Sequence, residues 1–315
     1  MSEARRGTLY GIAAYLIWGL FPLYWPLLEP AGAVEILAHR IVWCLVFVVL
    51  ALAAGRSWST MRPLLGAGPA TRRLAIAAVV IAANWTLYIW GVNHHHVVET
   101  SLGYFINPVV TVLIGVLVLR ERLRPVQWAA IGLGLLAVVV LTVDYGRPPW
   151  IALGLAFSFA TYGLIKKQVG ATVGALQSLT VETSVLFVPA LAYLVVLGAR
   201  GDGQFGPAGV GASLLLAAAG VATAVPLLFF ASAARRVPLS TLGLLQYLTP
   251  VLQLLTGVLV YNEPMPPSRV AGFALVWAAL VLLSIDGLRH GHSVRRDRRA
   301  AGDPRDPAEV APAGA

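Results

Sequence analysis

The segments NPVVTVLIGVLVLRERLRP at 107–125 and TPVLQLLTGVLVYNEPMPP at 249–267 carry one pattern twice in a single chain. A shift of 142 residues lays Pro108 on Pro250, Gly115 on Gly257, Glu121 on Glu263, Pro125 on Pro267 and, further along, Asp144 on Asp286. It also lays Val116, Leu117 and Val118 on Val258, Leu259 and Val260. Aliphatic matches come easily in an apolar chain, whereas Pro, Gly, Glu, Pro and Asp in one register do not. The two halves therefore read as a duplication. The copies diverge where Asn262 and Pro264 replace Arg120 and Arg122.

The composition around these segments is that of a membrane protein. Of 315 residues, 58% are hydrophobic and 12% charged, against about 25% charged in a soluble domain. Apolar runs such as Val42–Ala54, Val109–Leu119 and Phe273–Leu283 extend to the roughly 20 residues that cross ~30 Å of hydrocarbon. Punctuation by Gly, Pro and charge predicts ten spans near 8–28, 33–54, 73–93, 97–119, 126–144, 149–168, 175–198, 210–232, 238–260 and 268–287. All should be helices, since an open strand leaves backbone groups unpaired in lipid. The expected fold is an all-α integral membrane protein, ten transmembrane helices forming two five-helix inverted repeats at 8–144 and 149–287. A short N-terminus, 1–7, and a disordered basic tail, 288–315, flank them.

Basic residues give the direction. If the N-terminus is cytoplasmic, 19 of the 23 Lys and Arg residues fall on the cytoplasmic side, Arg147, Arg200 and Arg269 fall outside, and Arg40 lies within a span. That asymmetry predicts a multi-pass protein of the cytoplasmic membrane with both termini inside. The formal charge of +9 thus reads as topology and lipid head-group contact rather than nucleic-acid binding. Five spans per repeat invert the second half, so Glu121 is expected at the cytoplasmic face and Glu263 at the outer one. Inverted repeats are a hallmark of secondary transporters. Pro108 and Pro250 each remove a helical hydrogen bond and stand as paired hinge candidates.

Ionisable groups inside a span need a partner or a wet cavity. Glu35 and His39, four residues apart, share a helix face, and Arg40 is turned about 100° from His39. Under a repeat shift of about 143 Glu182 takes the place of His39. An Arg40–Glu182 pair fails on depth, because the two would sit ~10 Å apart along the membrane normal. A water-lined passage between them is the expectation. Asn84, Trp85, Tyr88, Tyr104, Asn107, Gln246 and Tyr247 complete the candidate pathway for a small-molecule substrate. Protons are a candidate coupling ion, with His39 as the group to carry them, and a homodimer is a candidate assembly. His94, His95 and His96 are adjacent in sequence and diverge on a helix, which argues against a metal site. Lone Cys44 reads as a packing residue. No Walker, HExxH or Gly-rich dinucleotide sequence occurs, so no cofactor and no catalytic residue is expected. The alternative reading is a membrane-embedded enzyme or lipid-handling protein using Glu35 and His39.

EILAHRIVW at 35–43, VNHHHVVETSLGYFINP at 92–108, LRERL at 119–123 and VETSVL at 181–186 resemble the RarD subgroup of the EamA family, within the drug/metabolite transporter superfamily. The resemblance covers about 7–287. It implies ten helices in an inverted repeat, a central cavity reached mainly by helices one, three, four, six, eight and nine, and export of metabolites.

Overall fold

The computed structural model describes residues 3–55, 61, 66, 68–119, 123–169, 173–234, 236–237 and 245–300, with the backbone alone for 115, 116, 119, 167, 175, 231, 234 and 287–300. Among them the chain is helical and contains no strand. Helix α1 (Glu3–Gly19) bends by 43° into a second apolar piece, Phe21–Leu28. Pro22 and Pro26 stand at the first positions of the turns that follow the bend, where a missing N–H breaks the ladder. Then come α2 (Ala33–Ala54), α3 (Pro69–Asn93), α4 (Val97–Leu119), α5 (Pro125–Tyr145), α6 (Trp150–Val169), α7 (Ala175–Arg200) and α8 (Val210–Ala234). Helix α9 (Leu248–Leu255) runs into a π turn, Thr256–Val260, and α10 spans Pro267–Ala300.

Local chemistry explains the helix ends. Pro125 occupies the first turn of α5, Gln127 Oε1 accepts the Arg124 N–H at 3.0 Å, and Gly146 closes the helix at φ 64°. Pro at the start and left-handed Gly at the stop is the expected asymmetry. Gly201, at φ 78°, ends α7 in the same way.

Among the described residues seven helices are long and apolar enough to cross a membrane: α2, α3, α4, α5, α7, α8 and α10, with the bent α1 piece as an eighth. Trp150–Lys166 of α6 and Leu248–Val260 are apolar but shorter. The expected span at 238–260 is met by regular helix only from Leu248, and 238–244 lies outside the described residues. So does Glu121, with its expected position. The tail expected to be disordered from 288 is helical as far as Ala300. From Ser293 to Ala300 it carries neither Gly nor Pro, and four of its residues are arginine, a good helix former. Pro250 also departs from expectation. It sits in the first turn of α9, where its missing N–H has no carbonyl to disappoint, whereas Pro108 lies inside α4.

Apolar side chains cover the outside as well as the inside. Val143 is 79% exposed and Val188 70%, surface that suits hydrocarbon and not water. The helices pack as pairs: α5 on α10, α4 on α6 and α9, α3 on α6 and α7, α2 on α7 and α8, α1 on α8 and α9. Small residues allow the closest approaches. A Cβ at Gly220 of α8 would fall 2.3 Å from the Trp43 backbone carbon of α2, and one at Gly272 of α10 would fall 2.5 Å from Leu141 of α5. Leu102, Phe105, Leu141 and Phe273 join α4, α5 and α10 in one core. Arg124 and Asp286 meet at one end of the α5–α10 pair (2.5 Å), and Asp144 and Arg269 at the other (2.9 Å).

Candidate functional site

Arg40 is a buried charge without an ion pair among the described residues. It projects from the second turn of α2 and is buried. Its Nε donates to Thr223 Oγ1 of α8 at 2.6 Å. The guanidinium lies 3.9 Å from the Trp85 ring of α3, 5.3 Å from Trp25 and 5.8 Å from Phe21, both in the bent segment after α1. Tyr24, Tyr88, Tyr104 and Cys44 lie within electrostatic range. Among the described residues no carboxylate pairs with Arg40. A cation near the bilayer centre costs about 2.5–3.5 kcal/mol on insertion scales. A desolvated stack on tryptophan contributes about 2 kcal/mol and a charged hydrogen bond about 1.5–3. The rings and the Thr223 hydroxyl together therefore offset a cost of this size without an anion.

Around these rings the candidates from α3 and α4 come together. Tyr88 and Tyr104 pack edge to face, 5.6 Å apart, and Tyr104 continues onto Phe159. Tyr88 Oη accepts from Gln253 Nε2 at 2.9 Å. Asn84 Nδ2 donates to the Leu155 carbonyl (3.0 Å) and to Ser158 Oγ (2.8 Å), tying α3 to α6. Pro108 cannot donate to the Tyr104 carbonyl four residues back. Beside it, Asn107 Oδ1 is buried without a hydrogen-bond partner.

Glu35 and His39 lie apart from Arg40. They face a cavity of ≈280 Å³ bounded by Trp43, by Leu194, Val195, Leu197 and Gly198 of α7, and by Gly203 and Phe205. Glu35 Oε1 accepts the Gln204 backbone N–H at 2.6 Å. His39 stacks on Phe205 at 5.0 Å, and both its ring nitrogens are buried without a hydrogen-bond partner. Shared helix periodicity places these two side chains on one cavity, yet Glu35 satisfies a loop rather than the imidazole.

Glu182 does not pair with Arg40, as depth argued. It accepts from Lys166 Nζ (2.7 Å), Ser178 Oγ (3.0 Å) and Tyr162 Oη (3.2 Å), and Lys166 also donates to Ser178. Gln246 and Tyr247 form the turn before α9, where Tyr247 packs against the core of α4, α5 and α10. No described contact brings either to Arg40. The three histidines lie in the turn between α3 and α4 and not on a helix: His94 and His96 both stack on Trp90, at 4.5 and 5.8 Å, and His95, at φ 57°, turns edge-on to Tyr261 at 6.2 Å.

Several partners escape sequence reasoning. Thr223, Gln253, Trp25 and Phe21 are ordinary span residues until the helices pack. Glu99 of α4 pairs with Arg147 at 2.8 Å and accepts the Ile151 N–H at 3.1 Å. Glu263 accepts the backbone N–H groups of Val97 (2.5 Å) and Val98 (2.8 Å). It thereby caps the start of α4, a favourable place for a carboxylate. Burial, the larger effect, pushes its carboxyl above the ordinary value, and the two N–H groups pull the other way.

The model of the EamA-like transporter family matches the chain twice, over 5–143 and 148–285. Protein RarD of Streptomyces exfoliatus is 60% identical over 300 residues, covering 95% of each chain. Protein RarD of Escherichia coli (strain K12) is 42% identical over 286 residues, covering 91% of this chain and 96% of the relative. The uncharacterized transporter YojE of Bacillus subtilis (strain 168) is 42% identical over 295 residues, with the same coverage. A crystal structure of a protein only 19% identical superposes with a TM-score of 0.59 over 90% of this chain and 98% of that one, a likeness of fold alone. With the family model matching both halves and close relatives bearing the RarD name, the chain belongs to the EamA-like transporter family, in its RarD subgroup.

Proposed function

We propose that this protein is a secondary or gradient-driven exporter of a small metabolite or drug-like molecule. Two inverted five-helix halves, 8–144 and 149–287, rock about each other in the cytoplasmic membrane, with both termini inside. The bent α1 piece and the two shorter apolar helices make up ten spans with the seven longer ones. One observation carries the reading: contacts between helices recur when each number is advanced by five. The pair α1–α8 matches α6–α3, α2–α8 matches α7–α3, and α4–α6 matches α9–α1, while α2–α7, α4–α9 and α5–α10 match themselves. The double match of the family model, offset by 143 residues, supports the same division. Such a two-fold assembly has two equivalent ways to open, the requirement for alternating access.

The substrate pathway runs past Arg40, Trp85, Tyr88, Tyr104, Asn84 and Asn107, with Glu182 and Lys166 toward the cytoplasmic side. Pro108, interior to its helix, is the stronger hinge. Protons are the coupling ion, taken up by His39 in its cavity beside Glu35. The test is metabolite profiling of cells and medium with and without the gene. A discrete compound accumulating in cells that lack the gene, and missing from their medium, is the expected result. Identical pools in both strains would overturn the exporter reading.

A further inference from the structure

From the surroundings of Arg40 we infer that the transported substrate is an organic monocarboxylate with a flat or apolar body. The inference rests on the transport reading above and narrows it to a chemical class. Guanidinium carries five N–H donors, of which only Nε–H has a partner among the described residues, Thr223. The two terminal nitrogens together form the fork that receives a carboxylate in two parallel hydrogen bonds. A built-in carboxylate on a neighbouring helix would have filled that fork. Among the described residues no carboxylate pairs with Arg40, whose polar company is Thr223, tyrosine hydroxyls and Cys44. The vacancy in hydrogen bonding is therefore matched to an anion that arrives and leaves.

The count of charges sets the class. Among the described residues Arg40 is the lone cation beside these rings, so one negative charge neutralises the site. A phosphate dianion would leave net charge in low-dielectric surroundings. A zwitterion would bring an ammonium for which no carboxylate waits. The aromatic company suggests the body of the ligand: Trp85 and Trp25 stand over the guanidinium, with Tyr88 and Tyr104 within its electrostatic range, surroundings that suit a flat apolar group. Tyr88 Oη accepts from Gln253, so its own O–H remains a donor for the carboxylate.

Purified full-length protein in nanodiscs, titrated with 3-phenylpropionate and with its neutral amide while tryptophan fluorescence is followed, tests the assignment. The carboxylate is expected to give a saturable change and the amide to bind at least tenfold more weakly. Arg40→Met abolishes that preference, and Arg40→Lys, which keeps the charge without the fork, retains part of it. If Arg40→Met does not fold, the acid and amide comparison on the wild-type protein decides alone. Equal affinity for acid and amide, or no saturable change with either, overturns the inference. Metabolite profiling separates this failure from that of the transport reading. A gene-dependent compound that is neutral, cationic or a phosphate sinks the carboxylate assignment only, and the absence of any such compound sinks export itself.

Discussion

Arg269 Nε lies 2.9 Å from Asp144 Oδ2 where the end of α5 meets the start of α10. At the far end of the same antiparallel pair Arg124 meets Asp286 at 2.5 Å. Asp144 and Asp286 are repeat equivalents, so each half contributes its terminal carboxylate to an arginine of the other. The halves are latched at both ends by one device used twice.

The latches differ in burial, and that predicts unequal consequences. The side chains of Asp144 and Arg269 are 5% and 14% exposed, those of Asp286 and Arg124 11% and 37%. Asp144→Asn leaves a buried guanidinium uncompensated and is expected to cost about 3–5 kcal/mol. Asp286→Asn, opposite a better solvated arginine, is expected to cost about 1–2 kcal/mol. Thermal unfolding midpoints in one detergent check the order, and equal shifts would contradict it.

Glu263 predicts a pH dependence. Burial raises its carboxyl in the folded protein above the ordinary value, so the folded state binds the proton more readily than the unfolded state. Stability from this group is present below the ordinary carboxylate value and is lost as pH rises through the folded one. Wild type should therefore gain stability relative to Glu263→Gln as pH falls from neutral toward that range. A difference in unfolding midpoint that stays constant or reverses over the series would refute the burial argument.

Two glycines should respond oppositely to the same substitution. A Cβ at Gly220 meets the Trp43 backbone at 2.3 Å, while one at exposed Gly132 meets nothing within 4 Å. Gly220→Ala must part α8 from α2, at about 1–3 kcal/mol. Gly132→Ala removes only unfolded-state freedom from α5 and should stabilise by about 0.4–1 kcal/mol. Size-exclusion profiles after heating distinguish the two, and a tolerated Gly220→Ala would mean that the helices do not approach this closely.

The proposed orientation is open to labelling. Cys44 is the single cysteine, so Cys44→Ser provides a clean background. Asp202→Cys, in the exposed turn after α7, should react with a membrane-impermeant maleimide added to intact cells. Gly68→Cys, exposed before α3, should react only after the cells are opened. The reverse pattern would invert the topology.

Much of the helix plan is legible along the chain. The span expected at 33–54 coincides with α2, and those at 97–119 and 126–144 fall within a residue of α4 and α5. Hydrophobicity, Pro125 and Gly146 act over a few residues, which is why they can be read. Pro250 misleads because identical residues at matched repeat positions need not sit equally deep in a helix. The site is less legible. Glu182 lies 16 residues from Lys166, whereas Arg40 lies 183 from Thr223 and Glu35 169 from Gln204. Helical periodicity says that Arg40 leaves α2 on a different face from His39. It does not say which helix waits there.

The membrane character, the duplication and most of the helix limits follow from the sequence by itself, because burial in lipid and closure of backbone hydrogen bonds are settled segment by segment. The partners of the buried charges are decided only by tertiary structure, because they depend on which helices touch and at what depth. Glu182 finds Lys166, Glu35 finds a loop N–H, and Arg40 is left to aromatic rings and one hydroxyl. The packing that brings Phe21 and Trp25 of the bent segment, Trp85 of α3 and Thr223 of α8 around Arg40 supplies faces that stabilise a cation without a fixed carboxylate. That is why the proposed ligand site is placed at an arginine in an apolar helix.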